Sequence, residues 1–495
     1  MMPDLATWTE RAQSVSPDSQ IFIDGEFASA ASGKTFESIF PAENRVIAQI
    51  SAGDTVDVNR AVASASHAFE SGIWRDAPPR VKKSVMLKWA ELIRDHQEEL
   101  ALLETLDVGK PISDSMAVDT PSLARVIQWY GETIDKTYDE IAPTPKNAIA
   151  LVTREPLGVV GAIVPWNYPM IISSWKIGPA LAMGNSIVIK PAENSSLSLL
   201  LIARLGIEAG LPPGVLNVVP GLGAEAGQAL ARHMGVAKLA FTGSGATGRK
   251  MMQYAAESNL KQVSLELGGK SAQIVLKDCV DLDAAAQSIA WGIYYNSGQT
   301  CNAGSRLIVE KEVKSELFSK IEKFLETFKV GNPLDPATQM GPLVSKTQRD
   351  RVNSYLDLIG VNGEQIIFGG EKTHGDDLFM MPTLIDNVKH ESRLSQEEIF
   401  GPVLVAIDAR DEAQAIELAN GTDYGLAASV WTNNVGKAHR IAKQLRAGTV
   451  WVNTFDALDV ITPFGGFKSS GSGRDKSLHA LSAYSQLKTT WIDLS

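Results

Sequence analysis

Cys301 is one of two cysteines in 495 residues. It stands in Asn296-Ser297-Gly298-Gln299-Thr300-Cys301-Asn302-Ala303-Gly304-Ser305, a small, polar, glycine-bearing stretch. A packing cysteine has apolar neighbours, whereas a thiol on such a turn is open to a substrate. Cys279, which closes an apolar strand in Leu276-Lys277-Asp278-Cys279-Val280, has the setting of a small buried hydrophobe. A reactive thiol needs a base, and none of the seven histidines stands in a recognisable pairing motif. A carboxylate is therefore expected. Glu266, in Ser264-Leu265-Glu266-Leu267-Gly268-Gly269-Lys270, is flanked by leucines at a strand end. Its pKa is expected to rise, which suits a general base near neutrality. The competing reading is a glutamate on the solvated face of an alternating strand.

Two further stretches could serve the same chemistry. Asn167, in Pro165-Trp166-Asn167-Tyr168-Pro169, follows an apolar strand and is a candidate oxyanion donor. A turn asparagine between two prolines is the alternative. Gly243-Ser244-Gly245-Ala246-Thr247-Gly248 spells G-x-G-x-x-G between a strand and a helix, a phosphate-binding fingerprint, with Glu266 where the ribose acid belongs. Lys190-Pro191-Ala192-Glu193, just past another strand, is a second ribose candidate or else a surface ion pair. Thiol, amide, carboxylate and dinucleotide loops suggest one reaction. The thiol adds to an aldehyde, and Asn167 with a backbone N–H holds the oxyanion. Hydride leaves to a nicotinamide, and water activated by Glu266 releases the acid.

The elements that must position these groups alternate in period. An Asp24-Gly25 turn predicts a hairpin over 21–27, followed by helices over 56–69, 81–103 and 122–134. Strands over 138–141 and 148–152 read as an arm that could pair with another chain. From Gly158 apolar strands (159–164, 186–190, 216–219, 238–242) alternate with helices, the pattern of a doubly wound α/β domain. A second α/β unit runs through Cys301, and alternation in the tail suits one last strand. The expected architecture is α/β. A Rossmann-like dinucleotide domain takes 1–135 and 156–263, a thiol domain takes 264–468, and a small β oligomerisation arm takes 136–155 and 469–495.

Such a length calls for more than one domain. Hydrophobic residues at 44% and charged residues at 21% are ordinary for a globular chain, and a net charge of −11 argues against nucleic acid or anionic membrane as a partner. Two cysteines make no disulfide framework. The first residues lack an apolar signal core, and no apolar run reaches a membrane span. A cytoplasmic protein without a metal is the expectation.

Seven motifs follow one another along the chain: Pro165-Trp166-Asn167, Lys190-Pro191-Ala192-Glu193, Phe241-Thr242-Gly243-Ser244, Leu265-Glu266-Leu267-Gly268-Gly269-Lys270, Gly298-Gln299-Thr300-Cys301, Glu397-Glu398-Ile399-Phe400-Gly401-Pro402-Val403 and Pro463-Phe464-Gly465-Gly466. By these the chain resembles the aldehyde dehydrogenase superfamily, hydrolytic NAD(P)-dependent type, from about 21 to 492. The resemblance implies Cys301 as nucleophile, Glu266 as general base, Asn167 as oxyanion donor and Lys176 as a nearby structural or catalytic lysine. For the cofactor it implies Trp166, Lys190 and Glu193 at the adenine ribose, Ser244 at the pyrophosphate, and Glu398 with Phe400 at the nicotinamide side. Ile163, Pro165, Gly223, Phe241, Gly243 and Leu267 complete that set. Glu266 then becomes the base, and the literal fingerprint is a coincidence, since the family has a larger residue than Gly245. A carboxylate at Glu193 repels a 2′-phosphate, so NAD is expected over NADP.

The run Gly473-Arg474-Asp475-Lys476-Ser477-Leu478-His479-Ala480 looks like the subgroup acting on γ-glutamyl-aminobutyraldehyde and related ω-aminoaldehydes. In that family Tyr168, Trp175 and Phe464 line the aldehyde tunnel. Asp456 and Asp459, with Asp119, are the expected attractors of a cationic end, against a reading as solvated loop acids. Other readings are a broad-specificity aliphatic or betaine-type dehydrogenase, a CoA-acylating enzyme, and a non-catalytic relative. The strand pair and tail imply a homodimer or homotetramer.

Overall fold

The computed structural model describes residues 2–495. One eight-stranded sheet runs in the spatial order Glu26–Ala28, Ile21–Ile23, Leu216–Val218, Ser186–Lys190, Val159–Ile163, Lys238–Thr242, Gln262–Glu266, Gly471–Ser472. Its five central strands are parallel. The Val159, Ser186 and Lys238 strands are buried at every residue, which is why they read as unbroken apolar runs. The expected hairpin is present, with Asp24 and Gly25 both left-handed (φ 58° and 82°).

The chain steps from the Val159 strand to the Ser186 strand on one side and later lays the Lys238 strand on the other. That reversal is a topological switch point, where open α/β sheets bind ligands beyond the strand ends. Pro165-Trp166-Asn167 and Gly243-Ser244 leave the two strands that flank it.

A seven-stranded sheet follows, in the order Gln365–Phe368, Thr383–Asp386, Val403–Ala409, Arg306–Glu310, Ala272–Val275, Ala427–Trp431, Thr449–Val452. All its pairs are parallel except the first. Cys301 lies just ahead of the Arg306 strand, at the amino edge of this sheet, while Glu266 ends a strand of the other sheet at its carboxyl edge.

Three expectations need adjustment. The helix expected over 81–103 is two helices, Pro79–Asp95 and Gln97–Val108, meeting at His96 (φ −99°, ψ 22°). No Gly or Pro marks that break, and apolar spacing continues across it. The boundary expected at 263 falls inside the Gln262–Glu266 strand, which pairs with Lys238–Thr242 through to Glu266. The segment 469–495 is not all arm. Gly471–Ser472 pairs antiparallel with Leu265 and Glu266, and the turn Leu478–Tyr484 buries Ala480, Leu481 and Tyr484 in the main core. Only Ser485–Asp493 joins Ala148–Pro156 and Glu140–Ala142 in a separate three-stranded sheet. That sheet leaves Ile141, Leu487 and Trp491 largely exposed. Among the described residues no helix is long and apolar enough to cross a membrane.

Candidate active site

The helix Leu282–Tyr294, capped by Asp281 accepting from Ala284 N at 2.8 Å, delivers the chain to the thiol. Asn296, Ser297 and Gly298 are then left-handed in succession (φ 49°, 56°, 69°). A Cβ on Gly298 would run into the Gly401 carbonyl, so sterics and φ both demand glycine there. The turn is polar but not open. Asn296, Ser297, Gly298 and Gln299 are buried, and their side chains bond within the turn and to Asn167, Gly341 and Val344. Gln299 accepts from Val344 N at 3.0 Å and donates to Asn296 O at 3.2 Å. Asn296 Nδ2 donates to Asn167 O at 3.1 Å, and Asn167 Nδ2 donates to Gln299 O at 2.9 Å. The two loops are thus hydrogen-bonded in both directions, and the second Nδ2 hydrogen of Asn167 is left over.

Glu266 is 6% exposed, with neither carboxylate oxygen hydrogen-bonded. This is the buried reading and not the solvated one. Burial raises its pKa well above the usual carboxylate range, Asp475 adds to the rise, and Lys176 and Arg474 oppose it. Burial also pushes the Cys301 thiol up, and the charges of Glu266, Glu398 and Asp456 push it further. Lys176 is buried and paired with Asp475, so it lies behind the base as a charge. Nothing in its residue type alone marks Asp475 for that place.

Two cavities meet at the thiol. The first, about 210 Å³, is walled by seven expected cofactor residues: Pro165, Trp166, Gly243, Ser244, Leu267, Glu398 and Phe400. Thr242, Gly268, Gln348 and Arg351, which sequence reasoning missed, also line it. The Trp166 and Phe400 rings meet edge to face, 5.4 Å apart. Glu398 accepts from Gly269 N at 3.1 Å, and burial lifts its pKa to about 7.

The walls fit a dinucleotide. The helix Gly245–Ala256 opens on this cleft with its N-terminal N–H groups, capped by Ser244 accepting from Thr247 N. The Thr242 hydroxyl is buried there without a partner. Gly268 is held bare because a Cβ would strike Glu398. Gly245 has room for a side chain, with only Arg249 Nη1 3.6 Å from a Cβ, so the literal fingerprint is not a steric requirement.

Five of the implied cofactor residues do not line this cavity. Phe241 is a buttress, its buried ring lying where a Cβ on Gly243 would fall. Ile163 and Lys190 lie against Gly227, each side chain 3.9 Å from where a Cβ on that glycine would be. Glu193 accepts from Gly223 N at 2.6 Å and from Lys190 Nζ at 3.3 Å.

The second cavity, about 220 Å³, contains the expected Tyr168, Trp175, Phe464, Asp456 and Asp459. Tyr168, Ile171, Ile172 and Trp175 enter it from one face of the helix Pro169–Ala182 and its cap, at helical spacing. The Tyr168 hydroxyl bonds Thr300 Oγ1 at 2.8 Å. Tyr295, Arg125 and Lys476 also line the wall. Nothing local in the sequence marks Tyr295 or Arg125, because long-range packing places them.

Asp119 is a correction. Its carboxylate accepts from Lys110 Nζ at 2.6 Å in a fully buried cluster with Glu104, and it is absent from the cavity wall. Lys110 in turn sits 4.2 Å from the Tyr168 ring centroid. Asp119 is therefore held by that lysine, and only its charge is felt at the cavity residues Tyr168 and Tyr295. Cys301 and Ile172 belong to both cavity walls, so the sulfur faces the cofactor cleft on one side and the aromatic cavity on the other.

Residues 27–490 match the Aldehyde dehydrogenase family. The chain is 47% identical over 490 residues to the NADP/NAD-dependent aldehyde dehydrogenase PuuC of Escherichia coli, with 99% of each chain covered. It superposes at TM-score 0.98, with 50% identity and full coverage of both chains, on the P. syringae indole-3-acetaldehyde dehydrogenase AldA solved with NAD+. A γ-glutamyl-γ-aminobutyraldehyde dehydrogenase from Burkholderia cenocepacia superposes at 0.97, with 48% identity and full coverage of both. With the match running over nearly its whole length, the chain belongs to the aldehyde dehydrogenase family, and its activity is the NAD-dependent oxidation of an aldehyde.

Proposed function

We propose that the substrate is an ω-aminoaldehyde, such as γ-glutamyl-aminobutyraldehyde, aminobutyraldehyde or guanidinobutyraldehyde, oxidised to its acid through a thioester on Cys301. The observation that carries this reading is the placement of Cys301 in both cavity walls. The aldehyde enters between Tyr168, Trp175 and Phe464. Cys301 Sγ forms a bond to the carbonyl carbon as its proton passes by way of Glu266 to solvent, and the carbonyl π pair moves to the oxygen. The oxyanion that develops receives the free Nδ2 hydrogen of Asn167 and the Cys301 backbone N–H. NAD+ supplies the hydride acceptor when bound, held by Trp166, Ser244, Glu398 and Phe400 with Lys190 and Glu193 at the ribose. Glu266 then takes a proton from water, whose oxygen attacks the thioester carbonyl and expels the thiolate. Lys176 and Asp475 set the charge behind that base.

Asp456 at the aldehyde cavity supplies the negative charge for a cationic end, while Asp459 is already paired with Arg125. The similarity to the Burkholderia cenocepacia enzyme supports the same class. Aromatic walls and the similarity to AldA favour a second reading, a neutral aromatic aldehyde. A panel of amino, guanidino, γ-glutamylamino, indolyl and plain aldehydes separates them. The aminoaldehydes are expected to lead in kcat/KM by about tenfold or more, and parity with a plain aldehyde of equal length would overturn the class. The Glu193 carboxylate, held in place by Gly223 N and Lys190, repels a 2′-phosphate, so NAD is preferred over NADP.

The same reading takes the protein as cytoplasmic. The first sheet forms the dinucleotide domain and the second carries the thiol. The exposed three-stranded sheet serves a homodimer or homotetramer.

A further inference from the structure

Lys476 has no place in the chemistry above, yet it lines the aldehyde cavity and is 3% exposed. It sits at a sharp turn, since Lys476 and Ser477 are both left-handed (φ 63° and 53°). Asp475, immediately before it, faces away to pair with Lys176. The Lys476 ammonium lies 5.4 Å from the Trp175 ring centroid and 5.8 Å from that of Phe464, the two aromatic rings of the cavity that are 5.3 Å apart. Lys110, Lys176 and Lys190 are equally buried and each holds a carboxylate, whereas the equally buried Lys238 donates to the Ser264 hydroxyl and Lys270 has no partner. Lys476 holds no carboxylate. Asp456 and Asp459 act on it only through their fields, against Arg125, and burial lowers its pKa to about 8.

The nearby acids are committed elsewhere. Asp456 accepts from Asn302 Nδ2 at 2.6 Å. Asp459 accepts from Arg125 at 2.6 Å and from Ile461 N at 3.1 Å. A buried ammonium without a hydrogen-bonded counter-charge is costly and is relieved either by giving up its proton or by gaining an anion, and of the buried lysines without a carboxylate Lys476 is the one that lines the aldehyde cavity. Its donors open onto the space that the aldehyde must occupy.

We propose that Lys476 receives a carboxylate carried by the aldehyde itself. Together with the acids of the same cavity, it then selects aldehydes that end in an α-amino acid group over those that end in an amine alone. This rests on the ω-aminoaldehyde reading for the cation site and adds the anion site to it. A charge-assisted hydrogen bond made in a cavity walled by Trp175 and Phe464 is stronger than one in water. The two rings face the ammonium itself, so the charge is already in place when the substrate arrives.

Four aldehydes of matched length test this: one with ammonium and carboxylate, one with ammonium only, one with carboxylate only, and one with neither. Each is assayed with the wild type, Lys476→Met and Lys476→Arg. For Lys476→Met the loss in kcat/KM on the two carboxylate-bearing aldehydes is expected to be about 10- to 100-fold. It should exceed the loss on the other two by about tenfold or more and fall mainly on KM. Lys476→Arg keeps the charge and should restore most of the preference.

An equal loss on all four substrates, or no selective loss on the carboxylate pair, would overturn the proposal. If Lys476→Met folds poorly, the ratio between substrate pairs in Lys476→Arg and Lys476→Gln decides the question in the same way. A wild type that treats ammonium-bearing and neutral aldehydes alike defeats the substrate class above, while the carboxylate-only aldehyde still decides the role of Lys476.

Discussion

At the scale of single residues, the site depends on two groups, a carboxyl and a thiol, that burial treats differently from water. Glu266 is buried without a hydrogen bond, and its charge helps to keep the Cys301 thiol protonated. A nearby negative charge disfavours the thiolate, so removing it lowers the thiol pKa. In Glu266→Gln, alkylation of Cys301 by iodoacetamide should therefore begin at lower pH than in the wild type. An unshifted profile would mean that Glu266 is not charged beside the sulfur. Cys301 and Glu266 are legible in the sequence because each is out of character with its setting, a thiol among small polar residues and a carboxylate between leucines. Asp119 is not, because an acid in a sequence carries no sign of its partner, and only the fold brings Lys110 to it. Lys476 stands within a motif, but which wall it faces depends on two consecutive left-handed residues.

At the scale of elements, the decisive part is the turn from Asn296 to Cys301. Its left-handed residues and crossed amide bonds to Asn167 fix where the sulfur points. Gly298→Ala would place a methyl group against the Gly401 carbonyl at a φ of 69°. The left-handed penalty and overpacking together amount to roughly 2–5 kcal/mol. A drop in Tm together with a loss of NAD-dependent activity is the expected outcome, and an unchanged Tm would show that the turn relaxes freely. The strands are legible because both faces of a parallel sheet are covered, which leaves continuous apolar runs. The helix break at His96 is not, since neither Gly nor Pro marks it. The glycine at position 245 misleads for the opposite reason. It completes a familiar spelling without being needed by the backbone, as the space around it shows.

At the scale of the whole molecule, the site exists only because two sheets meet edge to edge. The carboxyl edge of one supplies Asn167, Glu266 and the cofactor cleft, and the amino edge of the other supplies Cys301. The last strand reaches back across the chain to Ala148–Pro156 and exposes Leu487 and Trp491. Truncation after Tyr484 should lower the sedimentation coefficient toward that of a monomer, and an unchanged assembly would remove that strand from the interface. Catalysis requires that Cys301 carry the acyl group and that Glu266 release it. Intact-mass analysis of Glu266→Gln after mixing with NAD+ and an aminoaldehyde tests this most directly. A burst of NADH should accompany a mass gain equal to the aldehyde less two hydrogen atoms, localised to the peptide bearing Cys301. NADH formed without that adduct, or an adduct on any other residue, would contradict it.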